Sequence, residues 1–145
     1  MENNFKDIHI GKIIELKFIE RNIDMARACD FLHCEEQEIN IFFSKLTLDS
    51  EWILKWSKLL AYDLFRIYSQ HLILYSPPHK NNLNNKKIKS NLPEFRKNIY
   101  TKELIEFILD TLNTGKKTKL QIIEDYQIPK TTLYKWIKKH QYEKS

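Results

Sequence analysis

The stretch TKLQIIEDYQIPKTTLYKWIKKH, residues 118–140, holds two helical periods separated by a punctuated break. Thr118 followed three positions later by Gln121 is a capping box, in which each side chain satisfies the other's backbone amide at a helix start. It opens a short helix through Tyr126. Ile128–Pro129 turns the chain, and Pro129 stands at or beside the first position of the next helix, where its missing amide costs nothing. That helix, 130–140, is KTTLYKWIKKH. Ile123 is the expected buried residue of the first helix, and Ile128 the plug beneath the turn at Gln127. Leu133 and Trp136 pack the second helix inward. Lys130, Thr131, Tyr134, Lys135 and Lys138 then face outward.

Working outward, residues 102–113 place Leu104, Ile105, Ile108, Leu109 and Leu112 at helical spacing behind a Thr101 N-cap. Gly115 is their natural left-handed stop. Upstream, residues 76–98 are rich in Asn, Lys and Pro and show no sustained period, which predicts a flexible, solvated linker. The linker carries Lys80, Lys86, Lys87, Lys89, Arg96 and Lys97 against Glu94 alone.

Before it, residues 1–75 read as five helices. The first, 8–21, carries Ile10, Ile13, Ile14, Phe18 and Ile19 at helical spacing, and Asn22 breaks it. Residues 24–32 follow behind an Asp24 cap, with Ala28, Cys29 and Leu32 on one side. After a turn at His33–Cys34 comes 35–45, with Ile39, Phe42 and Phe43 inward. Asp49 caps 50–61, which carries Trp52, Ile53, Trp56, Leu59 and Leu60. The fifth, 63–75, carries Leu64, Ile67, Tyr68, His71, Leu72 and Tyr75, and Pro77–Pro78 stops it.

Composition agrees with helices. The 145 residues include two glycines and four prolines, too little punctuation for a many-turned β fold. The formal charge of +5 is uneven: residues 1–75 carry −3 and residues 76–145 carry +8. That asymmetry points to a polyanion partner for the second half. No apolar run is long enough to span a membrane, and the start, MENNFKDIHIGK, has no leader pattern. A cytoplasmic, nucleoid-associated location is therefore expected.

Cys29 and Cys34 flank His33, but structural zinc needs four ligands, so the thiols read as buried and no metal is expected. Neither Gly11 nor Gly115 lies in a phosphate-cradling motif. No nucleophile pairs with a base. No enzyme activity, cofactor or small-molecule ligand is expected.

Two short helices across a tight turn, with a preceding helix to complete the core, are the layout of a helix-turn-helix. Its second helix enters the major groove and presents polar side chains to base edges. Lys130, Thr131, Thr132, Tyr134 and Lys135 are the candidates for that reading. Lys116, Lys117, Lys119, Lys138 and Lys139 are candidates for phosphates. In the linker, Lys86, Lys87, Lys89, Arg96 and Lys97 make either a tether or an arm entering the adjacent minor groove.

The run 102–140 resembles the homeodomain-like helix-turn-helix of bacterial insertion-sequence transposases, and IPKTTLYKW, residues 128–136, carries the likeness. The resemblance implies binding to double-stranded DNA as the recognition part of a transposase-like mobile-element protein. Gln127 stands where that family has glycine. A left-handed backbone strains Gln, so the turn is expected to differ in detail. A transposase's metal-binding carboxylate triad needs an α/β domain, which the chain has no strand–helix alternation to build.

A second copy of the spacing lies upstream. Cys29, His33, Cys34, Ile39 and Phe42 have offsets of 4, 5, 10 and 13 from the first, as do Ile123, Gln127, Ile128, Leu133 and Trp136. With its flanking helices this part resembles the five-helix Cro-like repressor domain. Its groove-facing positions are Glu35, Glu36, Gln37, Asn40 and Ile41, with Glu38 nearby. Gln37 and Asn40 suit base reading, but the carboxylates repel phosphate. Two roles stay open: a second reader, or a scaffold for contact with a second copy or a transposase partner, which Ile41 and Phe43 support only if they turn out from the core. The resulting expectation is an all-α chain of two small helix-turn-helix domains, 1–75 and 99–145, joined by a basic linker, 76–98. An alternative is a transcriptional regulator or assembly adaptor.

Overall fold

In the computed structural model, residues 5–76, 91–93 and 100–143 are described. Lys80, Lys86, Lys87, Lys89, Arg96 and Lys97, and with them the expected arm, lie outside the described residues. The fold is all-α. Among the described residues eight helices run in order: α1 (Ile10–Glu20), α2 (Met25–Leu32), α3 (Glu36–Ser44), α4 (Ser50–Leu60), α5 (Phe65–Tyr75), α6 (Lys102–Asn113), α7 (Lys119–Tyr126) and α8 (Lys130–Glu143). No described residue lies in a strand. No described helix is long and apolar enough to cross a membrane. The chain divides into two compact units with the boundary between His71 and Leu72, inside α5.

In the first unit, α3 packs on α1 and α2, and α4 packs on the same two helices. Ile10, Ile14, Ala28, Ile39, Trp56 and Leu64 are fully buried at the centre. Each large apolar side chain so buried contributes about 1.5–3 kcal/mol. Phe18, Phe42, Phe43, Trp52 and Trp56 form an aromatic cluster with ring centroids 4.5–6.3 Å apart. Gly11 decides how α1 meets α3. The amides of Ile10 and Gly11 donate to the carbonyls of Leu46 (3.2 Å) and Lys45 (3.0 Å), so groups left unpaired at one helix start are satisfied just past the end of another. A Cβ at Gly11 would collide with the carbonyl oxygens of Phe42, Phe43 and Lys45.

In the second unit, α6, α7 and α8 each pack on the other two. Leu104, Ile108, Ile122, Ile128 and Leu133 are its fully buried residues. Thr101 and Thr118 cap α6 and α7 as expected, each accepting from the third residue beyond it. The Thr118–Gln121 capping box is complete, with bonds of 2.9 and 3.2 Å. Gly115, at φ 70°, ends α6, and the Lys116 amide closes back on the Thr111 carbonyl.

Several inward faces differ from the periodic reading. Ile122, not Ile123, is the fully buried residue of α7; Ile123 is half-buried. Ile19 is exposed, because the chain leaves α1 through a left-handed Asn22 and folds Ile23 onto the core instead. Phe43 is not a surface residue: its ring lies 5.5 Å from Phe18 and 5.8 Å from Trp56. On α5, Leu72 and Tyr75 face out, whereas Gln70 and Leu74 are buried. His71 keeps its inward place by donating from Nδ1 to the Phe5 carbonyl. The turn at Gln127 is left-handed after all, with φ 53° and ψ 36°. Its side chain offsets part of the strain by donating from Nε2 to the Glu124 carbonyl at 2.7 Å.

Candidate nucleic-acid interface

The expected second copy extends to a whole three-helix arrangement. Landmarks recur at a fixed offset of 94 residues (25 to 119, 33 to 127, 39 to 133). α2 and α7 are each 8 residues long, and α3 and α8 start at equivalent positions. His33 and Gln127 both sit at φ 53°. Ile10 and Ile14 on α1 match Leu104 and Ile108 on α6, all fully buried. The same steric solution is built twice: a helix stopped by one left-handed residue, then a reversal that lays the next helix against the first two.

The surfaces differ. On α8, Lys130, Thr131, Tyr134, Lys135 and Lys138 are all exposed, while Leu133 beneath them is fully buried. Thr132 is half-buried, and its amide donates to the Pro129 carbonyl at 3.0 Å. The first turn of α8 holds no acid, so the positive end of its dipole is uncompensated. On α3 the equivalent positions are Glu36, Gln37, Asn40, Ile41 and Ser44, all exposed. Glu36 and Glu38 stand in the first turn, and the Glu38 carboxylate accepts from the Glu35 amide at 2.9 Å. The dipole of α3 is thereby compensated internally.

Lys116, Lys119, Lys138 and Lys139 are exposed, and no described carboxylate lies within ion-pair distance of any of them or of Lys130 and Lys135. Lys117 is different. It forms an ion pair with Asp125, and its ammonium lies 4.8 Å from the Tyr126 ring centroid. The hydrogen bond to Asp125 raises its pKa above the usual lysine value. Its charge is therefore partly spent within the fold, which sequence spacing did not reveal. Tyr134 faces outward, as expected. Two cations cover it: Lys119 at 5.1 Å and Lys130 at 5.6 Å from the centroid. The i,i+4 pair with Lys130 was visible in the sequence, but Lys119 comes from another helix. Trp136 is half-buried against Tyr100, edge to face at 4.9 Å.

In the first unit, Cys29, Asp30, His33, Cys34, Glu35 and Glu38 line an open surface depression. Burial, followed by the carboxylates of Glu36 and Asp30, pushes the Cys29 thiol above its usual pKa; burial and Glu38 do the same for Cys34. Both thiols are free and half-buried. Among the described residues no three His, Cys, Asp or Glu side chains are placed to hold a metal ion.

Comparison of the chain with protein-family models, with curated proteins and with solved structures finds no match in any of the three.

Proposed function

We propose that the chain binds double-stranded DNA sequence-specifically through α8, as the recognition part of a transposase-like mobile-element protein without a catalytic domain. One observation supports this above the rest. The exposed face of α8 combines unpaired lysines, a threonine and a tyrosine over a fully buried Leu133, as a helix inserted in a major groove requires. Lys135 and Thr131 are at mid-face and take base edges. Lys138, Lys139 and Lys116 take phosphates, with Lys117 contributing less because Asp125 holds it. A duplex binder of this kind resides with the nucleoid.

Selection of sites from random duplexes with the full-length protein tests the reading, and an enriched motif is expected. Lys135→Ala should relax preference at one position by about 1–3 kcal/mol. Lys139→Ala should weaken all duplexes alike and lower the salt slope by about 1. Equal affinity for every duplex sinks the sequence-specific reading. Deleting 79–92 assigns the linker: an unchanged salt slope makes it a tether and removes the minor-groove arm.

The acidic first unit favours a second role, contact with another protein. α3 presents Glu35, Glu36 and Glu38 where the second unit has Pro129, Lys130 and Thr132, and Ile41 is 53% exposed beside them. Carboxylates there oppose a phosphate backbone. Light scattering of the full chain and of Ile41→Lys should show self-association lost in the variant. A monomer in both cases, with no transposase partner bound, removes this role.

A further inference from the structure

We propose that Lys119, Tyr134 and Lys130 form one clamp for a single phosphodiester, in which Tyr134 positions two ammonium groups and does not read a base. This deepens the DNA-binding reading of the same face and rests on it for the identity of the ligand.

The argument begins with two like charges on one ring. Lys119 is the first residue of α7, and Lys130 is the first residue of α8. Their ammonium groups lie 5.1 and 5.6 Å from the Tyr134 centroid. No more than about 11 Å therefore separates them, against a screening length of about 8 Å at physiological salt. Elsewhere on the described surface, three of the four other lysines beside aromatic rings have an acid to hand: Lys17 over Tyr62 pairs with Glu20, Lys55 over Trp52 with Glu51, and Lys117 over Tyr126 with Asp125, whereas Lys45 over Phe42 stands alone on its ring. Lys119 and Lys130 have no carboxylate at ion-pair distance among the described residues. The ring quadrupole attracts each cation but does not relieve their mutual repulsion.

An anion between them does. A phosphate that accepts from one ammonium on each side spans about 8 Å from nitrogen to nitrogen, with charge-assisted bonds of normal length. That span lies below the upper limit of about 11 Å set by the two centroid distances. Both lysines also stand at helix starts, where aligned peptide dipoles add positive potential. Tyr134 is 44% exposed, so the site is open to solvent. Because the two lysines come from different helices, the clamp fixes the α7–α8 pair on the backbone and leaves Lys135 and Thr131 to read bases.

The test uses the full chain and a small set of duplexes of defined sequence, with affinity measured against salt. Lys119→Gln, Lys130→Gln and the double variant should each lower the slope by about 1, because all three disrupt one shared phosphate. Tyr134→Phe should keep the wild-type slope, and Tyr134→Leu should fall with the double variant while ranking duplex sequences unchanged. A double variant that loses twice the slope of each single one, or a Tyr134→Leu that reorders the sequences, overturns the clamp. Helical circular dichroism confirms that each variant is folded. If the wild type binds no duplex, the DNA reading fails, and the clamp is judged with inorganic phosphate against chloride at equal ionic strength. NMR signals of the Lys119 and Lys130 side chains should then shift together, and not in Tyr134→Leu. Independent shifts, or none, reject it.

Discussion

Gly11 shows how one side-chain atom governs the first unit. α1 begins where the chain leaving α3 passes, and three carbonyl oxygens occupy the space a methyl group would need. Gly11→Ala should destabilise the unit by about 1–3 kcal/mol or more, because the obstacle is backbone and cannot rotate away. Urea unfolding followed by Trp52 and Trp56 fluorescence measures it. Among the described residues four non-glycine residues carry positive φ: Asn22, His33, Ala61 and Gln127. A left-handed backbone costs an ordinary L-residue about 1–2 kcal/mol. Ala61, which caps α4 at φ 46°, has no side-chain bond to offset this. Ala61→Gly should therefore raise the unfolding midpoint, by up to about 1 kcal/mol after glycine's entropy is subtracted. Gln127→Gly should gain less, since it loses the bond to Glu124. Lys117 binds its proton more tightly in the folded chain than in the unfolded one, chiefly through Asp125. The stability from this pair is complete below the ordinary lysine value of 10.5 and is lost as pH rises beyond it. Asp125→Asn should flatten that alkaline loss in the second unit, read by hydrogen exchange at several pH values.

At the scale of elements, the two copies form a natural matched pair. α2 and α7 begin after Asp24 and Thr118, but only Thr118 makes a side-chain cap bond. Thr118→Ala should cost about 1 kcal/mol. Asp24→Ala should cost about half a kcal/mol or less, the loss of a charge near a helix start. Differential scanning calorimetry on the two variants compares them directly. α3 and α8 diverge at their far ends. α3 stops at Ser44 because Lys45 and Leu46 turn back to meet Gly11, whereas α8 runs on to Glu143. The five extra residues follow Lys138 and begin with Lys139. They add one lysine, Lys139, and one carboxylate, Glu143, to the end of α8.

Across the whole molecule, the cluster that forms the first core contains no residue of α6, α7 or α8. Leu133→Ala should therefore cost about 2–5 kcal/mol and reduce amide protection in α6–α8 while leaving α1–α4 protected. Hydrogen exchange with mass spectrometry resolves the two sets, and equal losses in both units contradict independent cores. Much of this was legible in the sequence. Helix starts at Thr101 and Thr118 and the stop at Gly115 all follow from local chemistry, whereas the repeat read from Cys29 and Ile123 is one residue off, since Ala28 and Ile122 are the buried pair. Other features were not legible. Leu72 and Tyr75 satisfy a helical period and still face out, because period gives a face only relative to a partner that the sequence does not specify. Lys117 and Lys119 differ by two positions yet one is paired with Asp125 and the other rests on Tyr134.

By itself the sequence determined the class of fold, the order of helices and the contrast between a −3 first part and a basic second part. Those properties are local or additive: capping, periodicity and charge need no knowledge of distant neighbours. Tertiary structure alone decided which left-handed turns were tolerated, why Gly11 has no side chain, and which lysines keep their charge free. These depend on groups brought together from separate helices, where a few ångströms decide whether a cation meets a carboxylate, a ring or open solvent.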